Sequence, residues 1–255
     1  YLIVQTVLLI RRKGRWRRLW ATLLTLAMLA SLFWAGFSLL WSPVYYAPTF
    51  ADRSGVSAGP VSAEDLAAVT KYFVARANLY AQEVERDQDG LFTADRASVL
   101  DRAAGVYGSA AALWPFLEGD SLRPKPVLCS KILSLIDFTG FFFPMTGEAN
   151  LNMDSPVCLL PATAEHEISH QRGVAREQEC NFLAVAACMA SDDPDFRYSG
   201  ALMAYIYLGN ALASADPDAP IAFPMPDASL SPAAPVPEVP DPAAAARAGD
   251  TDVTL

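Results

Sequence analysis

The sequence predicts a mainly α-helical protein with one small β-hairpin or sheet, carried on a transmembrane helix. Three observations predict it. An uncharged apolar run, Leu19 to Trp41, follows directly behind six basic side chains; apolar residues keep helical spacing, with capping signals, over much of residues 62–213; and residues 137–153 replace that spacing with aromatic and turn residues. At 255 residues with 53% apolar side chains, the chain is long enough to bury a core.

The run from Leu19 to Trp41 holds 23 residues without a charge, and as a helix of about 34 Å it matches a bilayer core with slight tilt. Trp16 and Trp20 at one end, with Trp34, Trp41, Tyr45 and Tyr46 towards the other, have the distribution of interfacial aromatic belts. Arg11, Arg12, Lys13, Arg15, Arg17 and Arg18 make residues 11–18 a basic loop. The positive-inside rule assigns that loop to the cytoplasm, so residues 42–214 are expected to form an extracytoplasmic domain. Residues 1–10 are apolar but too short to cross alone, and read as the end of a preceding transmembrane helix in a multi-pass membrane protein. A cleaved signal peptide fits less well, because Trp41-Ser42-Pro43 lacks a small-x-small cleavage site and the run exceeds an h-region.

From residue 19 onward there are 13 basic against 28 acidic side chains, a balance that repels a phosphate backbone and excludes nucleic acid as a partner. Cys129, Cys158, Cys180 and Cys188 contain no CxxC pair and so supply no metal framework. Cys180 and Cys188 fall eight apart on one helix, too far for a disulfide. A Cys129–Cys158 bridge is open to the chain, but buried free thiols are the expected state.

Ser62 with Glu64 and Asp65 has the form of a helix start, and Leu66, Val69, Phe73, Ala77 and Tyr80 carry a helix to about Glu85. A second amphipathic helix covers about Ala94 to Leu117 and is stopped by Pro124 and Pro126. Lys125 to Ile136 is compatible with a strand or a short helix. Asp137 to Pro144 and Glu148 to Met153, around Met145-Thr146-Gly147, predict the hairpin. Thr163 to Gln171 and Val174 to Ala190 are strong helices separated by Gly173, a natural C-cap. Ser199 to Ala213 is apolar on nearly every face but too short to cross a bilayer, which predicts a buried helix. Residues 215–255 are rich in proline, alanine and acidic residues and are expected to be disordered.

The chain has two histidines, and they stand four apart with a glutamate after the first: His166-Glu167-Ile168-Ser169-His170. On a helix, residues four apart share one face, so both imidazoles can reach one tetrahedral zinc, while Glu167 sits beside the metal without ligating it. The bland alternative is a helix carrying these side chains merely solvated or capped. A third ligand must come from elsewhere, and Glu177 on the next helix is the choice: it shares a face with Asn181, whereas Glu179 lies nearly opposite. Asn181 could then accept a hydrogen bond from the far nitrogen of a liganding histidine.

HExxH followed by a glutamate, with Asp or Asn four residues later, resembles the gluzincin metallopeptidases, in which that glutamate is the third zinc ligand. Six residues separate His170 from Glu177, fewer than in most gluzincins. More closely, GFFFPMTGEANLN, HEISHQRGVAREQECNFLAVAAC and DFRYSGALMAYIYLGNAL, with the Trp41 to Tyr46 segment, resemble the bacterial domain of unknown function 3810 family of multi-pass membrane proteins over about residues 1–214. The resemblance implies a zincin-like domain in the cell membrane, its HExxH helix followed by a glutamate helix, binding one zinc ion per chain, with no substrate indicated.

The function expected is zinc-dependent hydrolysis of peptide bonds in a peptide or protein substrate, with Glu167 as general base for the zinc-activated water. Tyr198 is the candidate oxyanion donor, against the reading of a tyrosine packed in the core. Glu148, Asn150 and Asn152 could form an edge that pairs with an extended substrate, or serve as turn and cap residues. The alternative function is a non-catalytic zinc-binding membrane sensor or scaffold, which has no need of Glu167.

Overall fold

The structure, a computed structural model, describes residues 15–56 and 59–215. Residues 11–14 of the basic loop, the apolar residues 1–10 and the Pro/Ala-rich tail from 216 lie outside the described residues. The chain divides into two compact units, residues 1–47 and residues from 48 on.

Among the described residues, the first unit holds one long helix, α1 (Arg15–Trp41), followed by a 3-10 turn at Ser42–Tyr46. At about 1.5 Å per residue, its 27 residues measure roughly 40 Å. The stretch Trp16–Tyr46 reaches a mean hydropathy of 2.0 and is long and apolar enough to cross a membrane, as a membrane anchor or a signal sequence would be.

The second unit is mainly helical with a three-stranded mixed sheet. Helix α2 (Phe50–Ser54) starts at a capping box made by Thr49 and Asp52. Helix α3 (Ala63–Tyr80) is capped by Ser62, whose side chain accepts from the Asp65 N–H, and α4 (Arg96–Leu113) by Asp95, which accepts from the Ser98 N–H. The helix expected to reach Glu85 stops at Tyr80. Beyond it Asp87 turns the chain by accepting from the Asp89 and Leu91 N–H groups, and the Arg86 side chain clamps the turn onto the Ala81 and Gly90 carbonyls.

Residues 125–136 divide between both predicted alternatives, giving β1 (Lys125–Pro126) and α5 (Ser130–Ser134). Strands β2 (Gly140–Phe143) and β3 (Glu148–Leu151) form the expected antiparallel hairpin, with Gly140 opposite Leu151 and Phe143 opposite Glu148. What no sequence pattern announces is the third strand's pairing: β1 joins β3 in parallel, so the order is β1-β3-β2.

Three further helices follow: α6 (Leu160–Gln171), α7 (Glu177–Ala190) and α8 (Pro194–Ala215). Helix α6 is the centre of the unit. It packs on α4, α7, α8 and both long strands. Its Leu160, Ala164 and Ile168 are fully buried with Leu100, Ala103 and Tyr107 of α4 and with Leu183, Ala184 and Ala187 of α7. Helix α8 continues this core through Phe196 and packs along α3, forming a second cluster with Ala77, Tyr80 and Phe92. Its first part, to Ala204, is buried as the apolar sequence from Ser199 predicts, whereas Ile206 and Tyr207 further along are exposed.

All four cysteines are free. Cys180 and Cys188 are buried as expected, but Cys129 is exposed and Cys158 half-buried, because the segment around Cys129 stands on the surface.

Candidate metal centre

Two local decisions of the backbone build the site. Helix α6 ends at Gly173, which takes a left-handed conformation (φ 78°) open to glycine at little cost, and its N–H closes on the His170 carbonyl. The chain then spends Val174 to Arg176 in a turn, so α7 begins at Glu177 instead of Val174. The turn is held from the histidine side, since His170 Nδ1 lies 2.8 Å from the Val174 carbonyl oxygen.

The turn folds α7 back against α6 and brings Glu177 over the two histidines. Glu177 Oε2 is 3.1 Å from His166 Nε2 and Oε1 is 3.6 Å from His170 Nε2. The rings stand 5.0 Å apart and nearly perpendicular. One donor atom from each of His166, His170 and Glu177 lies within 4.8 Å of the others.

The opposite ring nitrogens decide which protons these imidazoles carry. A carbonyl oxygen can only accept, so His170 Nδ1 donates to Val174 and leaves Nε2 with its lone pair towards Glu177. His166 Nδ1 is 2.8 Å from Asn181 Oδ1, which sets the same tautomer. Two imidazole lone pairs and a carboxylate therefore converge, an arrangement that repels itself unless a proton or a cation sits among them. Neutral imidazoles and one carboxylate are a donor set for zinc or a similar divalent ion, and the residues fit that group.

The electrostatics follow from burial and mutual proximity. Burial works to lower the His166 pKa, but the hydrogen bond that its protonated Nε2 would donate to Glu177 and the neighbouring carboxylates outweigh it and hold it above the ordinary value. Burial holds that of His170 below its ordinary value, against the pull of the Val174 carbonyl. The hydrogen bond with His166 keeps Glu177 below the usual carboxylate range. Glu167 is buried, and burial pushes its carboxyl up to about 7. Its Oε2 makes no hydrogen bond among the described residues.

The sheet covers this face of α6. A β-carbon on Gly140 would lie 2.7 Å from Glu167 Oε1, and the Phe142 ring is 6.4 Å from that of His170. Gly140 was not singled out in the sequence, where a glycine opening an aromatic strand reads only as a turn signal. The Val174 carbonyl had no sequence signal at all, being backbone.

Tyr198 packs in the second cluster with its ring 5.5 Å from Phe92 and the Arg86 guanidinium over it, which is the core reading of this residue. Glu148 and Asn150 lie on β3, the central strand, so the edges of the sheet are β1 and β2 and not the strand that carries them. Glu148 pairs with Lys125, and the Asn150 amide donates to the Glu148 carbonyl. Asn152 lies past the strand, buried, donating to Ser134 Oγ and the Phe138 carbonyl. It holds the fold together beneath the surface.

Fold and site define a mainly helical protein with, among the described residues, one membrane-length apolar helix and a two-histidine, one-glutamate cluster between its central helix and the next. The chain matches the family model described as Protein of unknown function (DUF3810) over residues 1–223, and it belongs to that family. No curated protein and no solved structure matches it.

Proposed function

We propose that the protein is a membrane-anchored zinc metallopeptidase, with His166, His170 and Glu177 holding the metal and Glu167 acting as general base. The observation that carries this reading is the convergence of three metal-ligating atoms within 4.8 Å beside a buried carboxylate that has an unpartnered oxygen. A structural zinc site uses four protein ligands and has no use for a fifth, uncommitted acid.

Zinc bound there would supply a Lewis acid that activates a water and polarises a peptide carbonyl. The chain's residues do the rest. Asn181 and Val174 fix the imidazole tautomers and keep both Nε2 atoms turned to one point. Glu167, with a pKa raised to about 7, is suited to take a proton at Oε2 near neutral pH and return it to the leaving amine. Gly140 and Phe142 wall the site on the sheet side and limit water around Glu167. Helix α1 is the anchor, with the basic end cytoplasmic and the metal site extracytoplasmic; protease added to intact cells then reaches residues beyond Ser54.

The deciding experiment compares the full chain with Glu167→Gln, reconstituted and zinc-loaded, against an unbiased peptide library with mass spectrometry of new termini. Wild-type cleavage should exceed that of the variant by about 100-fold to 10,000-fold at equal zinc content and should vanish with a chelator. Zinc-loaded wild type that gives no Glu167-dependent cleavage would favour the scaffold function instead.

A further inference from the structure

Six large apolar side chains lie exposed between Leu122 and Phe138, with Leu128 fully open, Leu135 at 84% and Ile132 and Ile136 at 60%. Elsewhere in the described part of residues 59–215, exposed side chains of this kind are scattered. The segment is nevertheless firmly built. Ser130 Oγ donates to the Val127 carbonyl and accepts from the Met153 N–H, the Val127 N–H bonds the Leu151 carbonyl, and Asn152 holds Ser134 and Phe138. Polar residues thus fasten α5 to the sheet while the apolar ones face outward, the reverse of ordinary burial.

The charge around this crest identifies what covers it. Residues 48–215 carry 12 basic and 21 acidic side chains, yet residues 122–139 hold three of the basic ones and Asp137 as their one acid. Arg123 and Lys125 are paired with Asp101 and Glu148, and Lys131 stands among the apolar side chains with no ion pair among the described residues. Aliphatic side chains around a free cation match an anionic lipid surface, which offers hydrocarbon to the former and phosphate to the latter. Six residues, Ser42 to Ala47, separate the end of α1 from Pro48, so the bilayer that α1 spans is available to the crest at high effective concentration.

We propose that the crest at residues 128–138 inserts into the surface of the bilayer that anchors the chain, as a second, interfacial attachment. The inference rests on the membrane-anchor reading and is independent of hydrolysis. Gly140, against Glu167, lies two residues beyond the crest, so this attachment sets the candidate site close to the lipid surface.

Cys129, exposed within the crest, is a native labelling point. The full chain carrying Cys158→Ser is labelled there with an environment-sensitive fluorophore and reconstituted into phosphatidylcholine–phosphatidylglycerol vesicles with or without acyl-chain nitroxide lipid. The label should shift to the blue, lose most of its emission to the nitroxide lipid and be shielded from aqueous iodide. The same label at Gln88→Cys in a Cys129→Ser, Cys158→Ser background should show the opposite. Serine at Leu128, Ile132, Leu135 and Ile136 together should abolish the lipid quenching with an unchanged circular dichroism spectrum. Tryptophan quenching by the same lipid reports the insertion of α1 separately. If the tryptophans are quenched while the Cys129 label stays open to iodide, the crest does not dock and the proposal fails with the anchor intact. Shielding from both quenchers means that protein covers the crest, which also overturns it. Tryptophans that escape the lipid quencher remove the anchor reading and this proposal with it.

Discussion

Gly140 and Glu167 touch across the sheet–helix boundary: a β-carbon on Gly140 would lie 2.7 Å from Glu167 Oε1, 3.0 Å from its Cγ and 3.0 Å from the Asn150 carbonyl oxygen. The strand backbone therefore forms one wall of the Glu167 site, and the carboxylate has no room to yield towards the sheet. Gly140→Ala should displace Glu167 and leave the three ligands in place. Zinc content should stay near wild type, stability should fall by about 1–3 kcal/mol from overpacking, and peptide hydrolysis should fall by about 10-fold or more. Metal analysis, thermal melts and the cleavage assay on one preparation separate these effects. An alanine variant with full activity would show that Glu167 does not depend on this wall.

Two glutamates in the first turn of α7 should part company when neutralised. Glu177 faces both histidines, while Glu179 accepts from the Phe50 and Ala51 N–H groups and so ties α2 to α7. Glu177→Gln should weaken zinc binding strongly, as should His166→Ala and His170→Ala, with little loss of stability in chelator. Glu179→Gln should retain zinc and lose about 1–2 kcal/mol, because it removes charge from two hydrogen bonds at a helix start. Competition with a chromophoric chelator and melts of the metal-free proteins measure both. Equal zinc affinities for the two variants would mean that the third ligand is misassigned.

Much of this arrangement was legible in the sequence, for identifiable reasons. Ser62 marked a helix start because a side-chain oxygen must satisfy the orphan N–H groups there, and the spacing of His166, His170, Glu177 and Asn181 carried its geometry because helix periodicity fixes which residues share a face. What stayed open in the sequence shares a cause too. Asn152 and Tyr198 are polar side chains whose roles depend on partners distant in the chain, Phe138 and Phe92 among them, and no local pattern announces those. The pairing of β1 with β3 rests on two residues, too few to leave a periodicity. The close approach of Gly140 to Glu167 is tertiary and is silent in sequence until the sheet is placed.

Zinc uptake should depend on pH through His166. Its pKa is held above 6.5, and metal requires the neutral imidazole, so protons compete as pH falls through that raised value. Affinity should be full above it and should decline progressively below it. Asn181→Ala removes a partner that helps to hold that pKa up, which should move the titration towards lower pH while weakening zinc binding about 10-fold to 100-fold through the loss of ring orientation. Zinc titrations from pH 5 to 8 test both statements, and a titration that does not move in Asn181→Ala counts against the assigned contact.

Glu165 gives the last prediction, on stability alone. It precedes His166 on α6, is fully buried, and neither of its carboxylate oxygens has a hydrogen-bond partner among the described residues. Burial raises its pKa well above the ordinary 4.5, so the folded protein holds it as the neutral acid while the unfolded chain ionises it freely. The sign follows from linkage: a folded pKa above the unfolded one gives stability that is fully present below 4.5 and lost as pH rises towards the folded value. Glu165→Gln has nearly the same shape and no proton to lose, so it should match wild type at pH values below 4.5 and gain on it steadily above. The gain should grow towards neutral pH and be read as a rise in Tm of the variant over wild type. Melts of both proteins across pH in chelator, with zinc ligation removed as a variable, measure the difference. A gap that stays constant with pH, or closes as pH rises, would show that the Glu165 carboxylate is ionised and partnered in the folded protein.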